Sequence, residues 1–136
     1  MVNHTKLNQK PVEYYLEIET GDFNIKDINF VKFNNKLYLA PNYYLELKGI
    51  YQKFDGILIT GTINEKRILD TGIEGDPFHR GETHLTEYIG EGIMFNDVKI
   101  SDDTVLKVHI TYTVDKVKKD FYEDIKLSER IKPYSK

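Results

Sequence analysis

The feature that most constrains the fold is a two-residue alternation of apolar and polar side chains along much of the chain. In TVLKVHITYTV, residues 104–114, every second side chain from Leu106 to Val114 is apolar or aromatic, and the side chains between them are polar. VEYYLEIE, residues 12–19, has a similar period. Because successive side chains of a β-strand point to opposite faces of a sheet, this period predicts strands with one buried and one solvated face.

Turn-forming residues separate the alternating runs. Asn34 and Asn35 lie between INFVKF and KLYLA, and asparagine tolerates the positive φ of a two-residue hairpin, so Phe30 is expected to lie opposite Leu39. Similar breaks recur and divide the chain into roughly eight to ten short strands. Regularly spaced short strands are typical of a β-sandwich or a small closed barrel.

We therefore predict a single all-β, mainly antiparallel domain over residues 1–136. An immunoglobulin-like β-sandwich is the first choice, because the chain ends in a long strand, a charged turn and a return strand; a small lipocalin-like or jelly-roll barrel is the alternative. Residues 115–131 fit a strand or a helix, with the strand favoured and a short C-terminal helix left open. Residues 1–11 and 132–136 are expected to be flexible.

The composition excludes several kinds of site. The chain has no cysteine, so it cannot form a disulfide, a thiolate zinc site or a cysteine nucleophile. Its net charge of -3 is uneven: residues 65–103 carry ten acidic against four basic side chains, or -6, and residues 116–136 carry seven basic against four acidic side chains, or +3. This distribution provides no continuous basic face, so nucleic-acid binding is not expected.

The hydropathy pattern bears on location. No segment approaches the ~20 apolar residues that a membrane-spanning helix needs, so no membrane association is expected. The N-terminal residues lack the apolar stretch of a signal peptide, and we expect a cytoplasmic protein. The composition, rich in lysine, isoleucine and asparagine, is compatible with an AT-rich bacterial or phage genome.

Polar and titratable side chains concentrate in GDPFHRGETHLTEY, residues 75–88. Glycine and proline interrupt the alternation over residues 70–84, and a connection of this length exceeds the usual ~4 to 6 residues. Long loops on a rigid β scaffold often carry function, and an aromatic side chain beside an arginine suits binding contacts. The predicted binding residues are Phe78, His79, Arg80, Glu82, His84, Glu87 and His109.

These observations favour a non-catalytic binding or interaction module that presents the polar loop of residues 70–84 to a protein partner or a small anionic ligand. Arg80 would bind an anionic ligand through bidentate hydrogen bonds. Self-association as a homodimer through a strand edge or a tyrosine face remains open, and no cofactor is expected. Catalysis is not the preferred interpretation, although two enzyme-like patterns remain as alternatives.

The first alternative rests on HLTE and HITY, which begin at His84 and His109. This pair of His-x-Thr units resembles the paired motifs of the two-histidine phosphoesterases. In those enzymes one histidine is the general base, its partner is the general acid, and the hydroxyls hold the phosphate. The resemblance implies that His84 with Thr86 and His109 with Thr111 converge on one phosphate.

The second alternative rests on HRGETHLTEYIGEG, residues 79–92, which resembles the first motif of the cupins. In that motif histidines and a glutamate precede a strand, and neutral imidazoles with a carboxylate suit a divalent metal. The resemblance implies a metal-binding, cupin-like protein with His109 as a later ligand. The chain departs from the motif because His79 and His84 lie five residues apart and do not form a His-x-His pair.

Overall fold

The secondary structure is nearly all β across the residues that the computed structural model describes, which are 10–41, 43–48, 53–78, 87–89 and 92–131. In chain order the elements are β1 (Val12–Glu19), β2 (Phe23–Phe33), β3 (Lys36–Leu39), β4 (Tyr43–Leu47), β5 (Phe54–Ile63), β6 (Lys66–Ile73), β7 (Glu87–Ile89), β8 (Ile93–Phe95), β9 (Val105–Val114), β10 (Val117–Lys126) and a 3₁₀ helix (Leu127–Arg130).

The strands form two antiparallel sheets. In the first sheet, β2 pairs with β1 on one side and with β3 and β4 on the other, while β8 and β7 continue the sheet beyond β3 and β4. The strands β3 and β4 thus act as one interrupted strand, and β7 and β8 act as another. The second sheet has the order β10-β9-β5-β6, so β10 and β6 are its edges.

The inner faces of both sheets meet in one apolar core, as the alternation predicts. The buried side chains of β1 come from the first sheet and those of β9 come from the second. Their burial confirms the prediction of an all-β sandwich, because β1 and β9 each present every second residue to the core. These buried residues are Tyr14, Leu16, Ile18, Leu106, Val108, Ile110, Tyr112 and Val114.

The connectivity of the described strands differs from that of an immunoglobulin domain. In an immunoglobulin domain the second and third strands lie in different sheets. Here β2 and β3 form a hairpin within the first sheet, and Phe30 pairs with Leu39 as expected. The described strands form two separate sheets, whereas the strands of an up-and-down barrel pair continuously around a closed cylinder.

The C-terminal segment is a strand followed by a short helical turn. The strand β10 pairs with β9 along its whole length, which confirms the strand prediction. The 3₁₀ helix then brings Leu127 into the core, where its backbone N–H donates to the carbonyl of Thr104 at 3.1 Å. Ile131 forms an isolated bridge with Tyr14, so this turn lies across the seam between β10 and β1.

The predicted loop of residues 70–84 begins later than expected. Residues 70–73 belong to β6 and pair with residues 57–60 of β5. Gly72 made residues 70–73 look like part of a loop, but it is a residue of β6. A Cβ atom added at Gly72 would lie 3.8 Å from Cδ1 of Leu58. The connection therefore starts at Glu74, after β6 ends at Ile73.

Two hairpin turns hold non-glycine residues in the left-handed region. Asn64 and Glu65 join β5 to β6 with φ values of 50° and 69°, and Asp115 and Lys116 join β9 to β10 with φ values of 49° and 68°. Positive φ at both central residues is the condition for a type I′ turn, whose twist matches that of the flanking strands. These turns set the first residue pair of each hairpin.

Replacing Glu65 with glycine is expected to stabilise the fold by about 0.5 to 1 kcal/mol. A side chain in the left-handed region costs about 1–2 kcal/mol, which exceeds the ~0.4–1 kcal/mol of unfolded-state entropy that glycine adds. Urea denaturation measures the difference. Glu65→Ala is the control, since alanine keeps the Cβ atom and the strain; a Glu65→Gly variant no more stable than Glu65→Ala would contradict this account.

Candidate functional site

Most of the predicted loop residues lie outside the described part of the chain. His79, Arg80, Glu82 and His84 are in this group. The backbone of Glu87 belongs to β7, where it pairs with Leu45. The assignment of binding to these side chains therefore stays a prediction.

Phe78 is a core residue, and its assignment to an exposed binding surface is corrected. Its side chain is 0% exposed, and its ring centroid lies 5.0 Å from that of Phe54 and 6.1 Å from that of Phe23. The backbone N–H of Phe78 donates to Oδ1 of Asp76 at 2.8 Å, which turns the chain inward after Pro77. A fully buried ring contributes packing and cannot contact a partner.

The same aromatic cluster ties the two sheets together. The ring of Phe23 in the first sheet lies edge-on to Tyr112 in the second, with centroids 5.1 Å apart. The hydroxyl of Tyr112 donates to Oδ2 of Asp22 at 2.6 Å. Burial and this hydrogen bond raise the pKa of Tyr112 to about 12, so the hydroxyl keeps its proton at physiological pH. The cluster is a structural element of the core.

His109 lies on the outer face of the second sheet, on the same face as Thr111, as the alternation predicts. Its Nε2 is 2.9 Å from Oδ1 of Asp120, and the hydroxyl of Thr111 donates to the same oxygen at 2.9 Å. Nε2 and the Thr111 hydroxyl are 3.2 Å apart. Two polar groups of β9 therefore converge on one carboxylate oxygen of β10.

Tyr122 lies directly opposite His109 in the hairpin, and the two rings are stacked. Their centroids are 4.3 Å apart and their planes differ by 6°. Tyr122 is nevertheless 70% exposed. Because His109 covers the ring face towards β9 and β10 is an edge strand, the other ring face of Tyr122 points away from the sheet.

Apolar surface continues from this pair across the sheet. Leu58 of β5 is 48% exposed and pairs with Thr111. The outer face thus carries two exposed apolar side chains around a hydrogen-bonded polar centre. We call this region the Tyr122 surface; it consists of Leu58, His109, Thr111, Asp120 and Tyr122.

The sequence contained a signal for this surface that depended on the turn. With Asp115 and Lys116 as a two-residue turn, His109 must face Tyr122 and Thr111 must face Asp120. The pairing can be predicted only if residues 117–126 are assigned as a strand, and the sequence alone also allowed a helix. His109 was therefore predicted as a binding residue without its two nearest partners.

The geometry around His109 does not match a nucleophile–base–acid relay. In such a relay the hydroxyl bonds one ring nitrogen and the carboxylate bonds the other. Here the hydroxyl of Thr111 and the carboxylate of Asp120 both approach Nε2. The phosphoesterase interpretation also needs His84, which lies outside the described residues, so it stays a prediction.

No metal centre is found among the described residues, where no group of three or more His, Cys, Asp or Glu side chains could hold an ion. Of the three histidines in the cupin-like interpretation, His79 and His84 lie outside these ranges, and His109 is bonded to Asp120. Within the same ranges, the helical structure contains no segment with the length and apolar character needed to cross a membrane.

A groove of about 530 Å³ lies at the seam between β1 and β10, next to the Tyr122 surface. We call it the β1–β10 groove. Burial and the nearby charge of Glu19 raise the pKa of Glu123, and the guanidinium of Arg130 opposes this shift. The lining residues are Glu17, Glu19, Phe121, Tyr122, Glu123 and Arg130.

A second groove, of about 540 Å³, lies at the opposite seam, between β6 and the strands β3 and β8. The hydroxyls of Tyr43 and Thr71 are 2.9 Å apart and join the two sheets within it. Its rim carries the exposed ion pair of Arg67 and Asp70, at 3.6 Å. An exposed pair of this kind contributes little to stability.

Phe78→Ala is expected to lower the free energy of unfolding by about 3–5 kcal/mol, because it removes a fully buried ring and leaves a cavity. Phe33→Ala is the matched control: Phe33 is 45% exposed, so its loss should cost about 1 kcal/mol or less. Urea denaturation measures both. Equal free energies of unfolding for the two variants would contradict the assignment of Phe78 to the core.

The carboxyl group of Asp120 is expected to titrate below 3.8, because the hydrogen bond from His109, followed by that from Thr111, lowers its pKa. NMR titration of the side-chain carbon measures this. The pKa should rise towards 3.8 in His109→Ala, and by less in Thr111→Val.

The linked effect on stability follows from the direction of that shift. Since the folded pKa lies below the unfolded one, the ionised carboxylate of Asp120 stabilises the fold above about pH 3.8, and this contribution is lost as the pH falls through the folded pKa. An unchanged pKa of Asp120 in both variants would show that neither bond forms in solution.

Comparisons with known proteins returned nothing: no family model matches the chain, and searches of curated proteins and of solved structures found no match.

Proposed function

We propose that this chain is a non-catalytic interaction module that recognises a protein partner through the Tyr122 surface. The observation that carries the proposal is the stacked pair of His109 and Tyr122, in which a ring 70% exposed to solvent is held parallel to an imidazole at 4.3 Å. Exposed tyrosines of this kind are common anchors in protein interfaces, because they bury a large area at a small cost in conformational entropy.

The support beneath this ring favours binding. The strand β10 pairs with β9 over its full length, and β9 in turn pairs with β5 at the centre of the sheet. His109 restricts the Tyr122 ring from one side, and the bonds to Asp120 restrict His109. A side chain that is already ordered loses less entropy when a partner buries it, which increases affinity.

The composition of the Tyr122 surface is also that of an interface. Leu58 and Tyr122 supply apolar area, while Thr111 and Asp120 supply hydrogen-bonding groups between them. Interfaces combine an aromatic or aliphatic centre with polar groups that set register and orientation. The convergence of both polar partners on Nε2 of His109 supports binding over acid–base relay chemistry.

The earlier proposals of a binding loop, an anionic ligand and a homodimer remain separate from this one. A loop function would now begin beyond Phe78, because Phe78 is buried. An anionic ligand would depend on Arg80, which lies outside the described residues. The Tyr122 surface contains neither residue.

A random peptide library displayed on phage tests the proposal. Selected against the full-length chain, it is expected to give a family of related peptides that bind at least about tenfold more weakly to Tyr122→Ala, because that substitution removes the anchor. Binding is measured by fluorescence anisotropy with synthetic copies of the selected peptides.

Phe33→Ala is the matched control, because it removes another exposed aromatic ring, 45% exposed, at the β2–β3 turn. It should leave binding unchanged. Failure to select any peptide family, or equal affinity of the selected peptides for the wild type and Tyr122→Ala, would overturn the proposal.

A further inference from the structure

We infer that the β1–β10 groove takes an arginine side chain from an extended segment of the partner, with its guanidinium stacked on the open face of Tyr122. The inference rests on the proposed function and specifies its ligand. It joins three separate features of the fold, which are the exposed ring face, the excess of carboxylates in the groove and the edge position of β10.

The charge of the groove selects a cation. Its lining contains three carboxylates, those of Glu17, Glu19 and Glu123, against one guanidinium, that of Arg130. Opposite charge brought into a partly enclosed groove is less screened than at an open surface, so the excess of negative charge attracts a cationic side chain.

Glu123 marks the part of the groove where a cation gains most. This carboxylate is partly buried, and its pKa is raised by desolvation and by the charge of Glu19, while Arg130 acts in the opposite direction. Desolvation is the largest cause of this shift, so the ionised carboxylate has lost part of its hydration in the groove. A guanidinium between Glu19 and Glu123 would donate hydrogen bonds to both carboxylates in place of water.

The aromatic lining favours a flat cation with an apolar stem. His109 covers one face of the Tyr122 ring, and the face that remains open points away from β9. Cations are attracted to such faces, and a guanidinium can lie parallel to the ring. Phe121, on the same strand, offers apolar surface for the methylene groups of the side chain.

Arginine fits this arrangement better than lysine. Its planar fork can stack on Tyr122 and still donate in its own plane to the carboxylates, whereas an ammonium group does not stack and is more strongly hydrated. A metal ion is a poorer occupant, because the described residues contain no group of three or more His, Cys, Asp or Glu side chains that could hold one.

The edge position of β10 fits an extended segment. In the described part of the chain β10 pairs along its length with β9 on one side only. An edge strand offers backbone donors and acceptors to an added strand, and alternate side chains of that strand then enter neighbouring pockets. The arginine would be one of these alternate side chains.

Short acetylated peptides of alternating threonine and arginine, with lysine and norleucine versions of the same length, test the inference. Titrated into the ¹⁵N-labelled full chain, the arginine peptide is expected to shift the amide signals of Phe121, Tyr122 and Glu123. Its dissociation constant should be about fivefold or more below that of the lysine peptide. The norleucine peptide should not bind.

Variants separate stacking from charge. Tyr122→Phe should retain binding and Tyr122→Leu should lose most of it, because only the first keeps an aromatic face. Glu19→Gln and Glu123→Gln should each weaken binding severalfold. Glu65→Gln, a charge-matched change in the β5–β6 turn, which β9 separates from β10, should leave it unchanged. The amide spectra of all variants report whether the fold is intact.

The outcomes distinguish this inference from the function on which it rests. Equal binding of the arginine and lysine peptides, or loss of binding in Glu65→Gln as large as in Glu123→Gln, would overturn the arginine assignment. Selected library peptides that depend on Tyr122 but contain no arginine would also overturn it and leave the interaction module in place. Absence of any Tyr122-dependent peptide would remove both.

Discussion

The register between β9 and β10 is the constraint on which the rest of the second sheet depends. The turn at Asp115 and Lys116, with positive φ at both residues, sets the first pair, and every later pair follows along the hairpin. A slip of one residue would turn Phe121 and Ile125 of β10 away from the core. The same slip would separate His109 from Tyr122, so core packing and the candidate site depend on one turn.

Core and surface are therefore alternate positions of the same strand. In β9, Ile110 and Tyr112 face the first sheet, while His109 and Thr111 face solvent. The buried side chains of β9 must pack against rings such as Phe23. The exposed side chains of β9 do not have to fit the core. This division explains how a regular sheet can carry a specific polar cluster without loss of core area, and why a substitution on the outer face is expected to change binding more than stability.

Much of the architecture follows from short-range patterns. The alternation from Leu106 to Val114 predicts the inward and outward faces of β9, and the asparagine turn predicts the pairing of Phe30 with Leu39; both are confirmed. Sheet membership is a different matter, because alternation specifies which side of a strand is buried but not which strand lies beside it. The immunoglobulin-like connectivity is not confirmed for this reason.

The residues of the candidate site could be predicted from the sequence only in part, for a related reason. Phe78 looked like a binding residue because its neighbours are polar, yet a local turn at Asp76 and Pro77 places its ring in the core. Tyr122 and Asp120 belong to the site through cross-strand pairing, which local composition does not report.

The bridge between Tyr14 and Ile131 has a consequence for how the molecule is made. It joins β1 to the residue that follows the 3₁₀ helix. In the second sheet, β9 pairs with β5, which precedes it by some forty residues. On the ribosome, β1 and β2 can pair early, but β5 cannot pair with β9 until β9 emerges. The seam between β1 and β10 closes only after β10 and the helical turn have emerged, so the core residues of β9 and β10 join the sandwich later than those of β1 and β2.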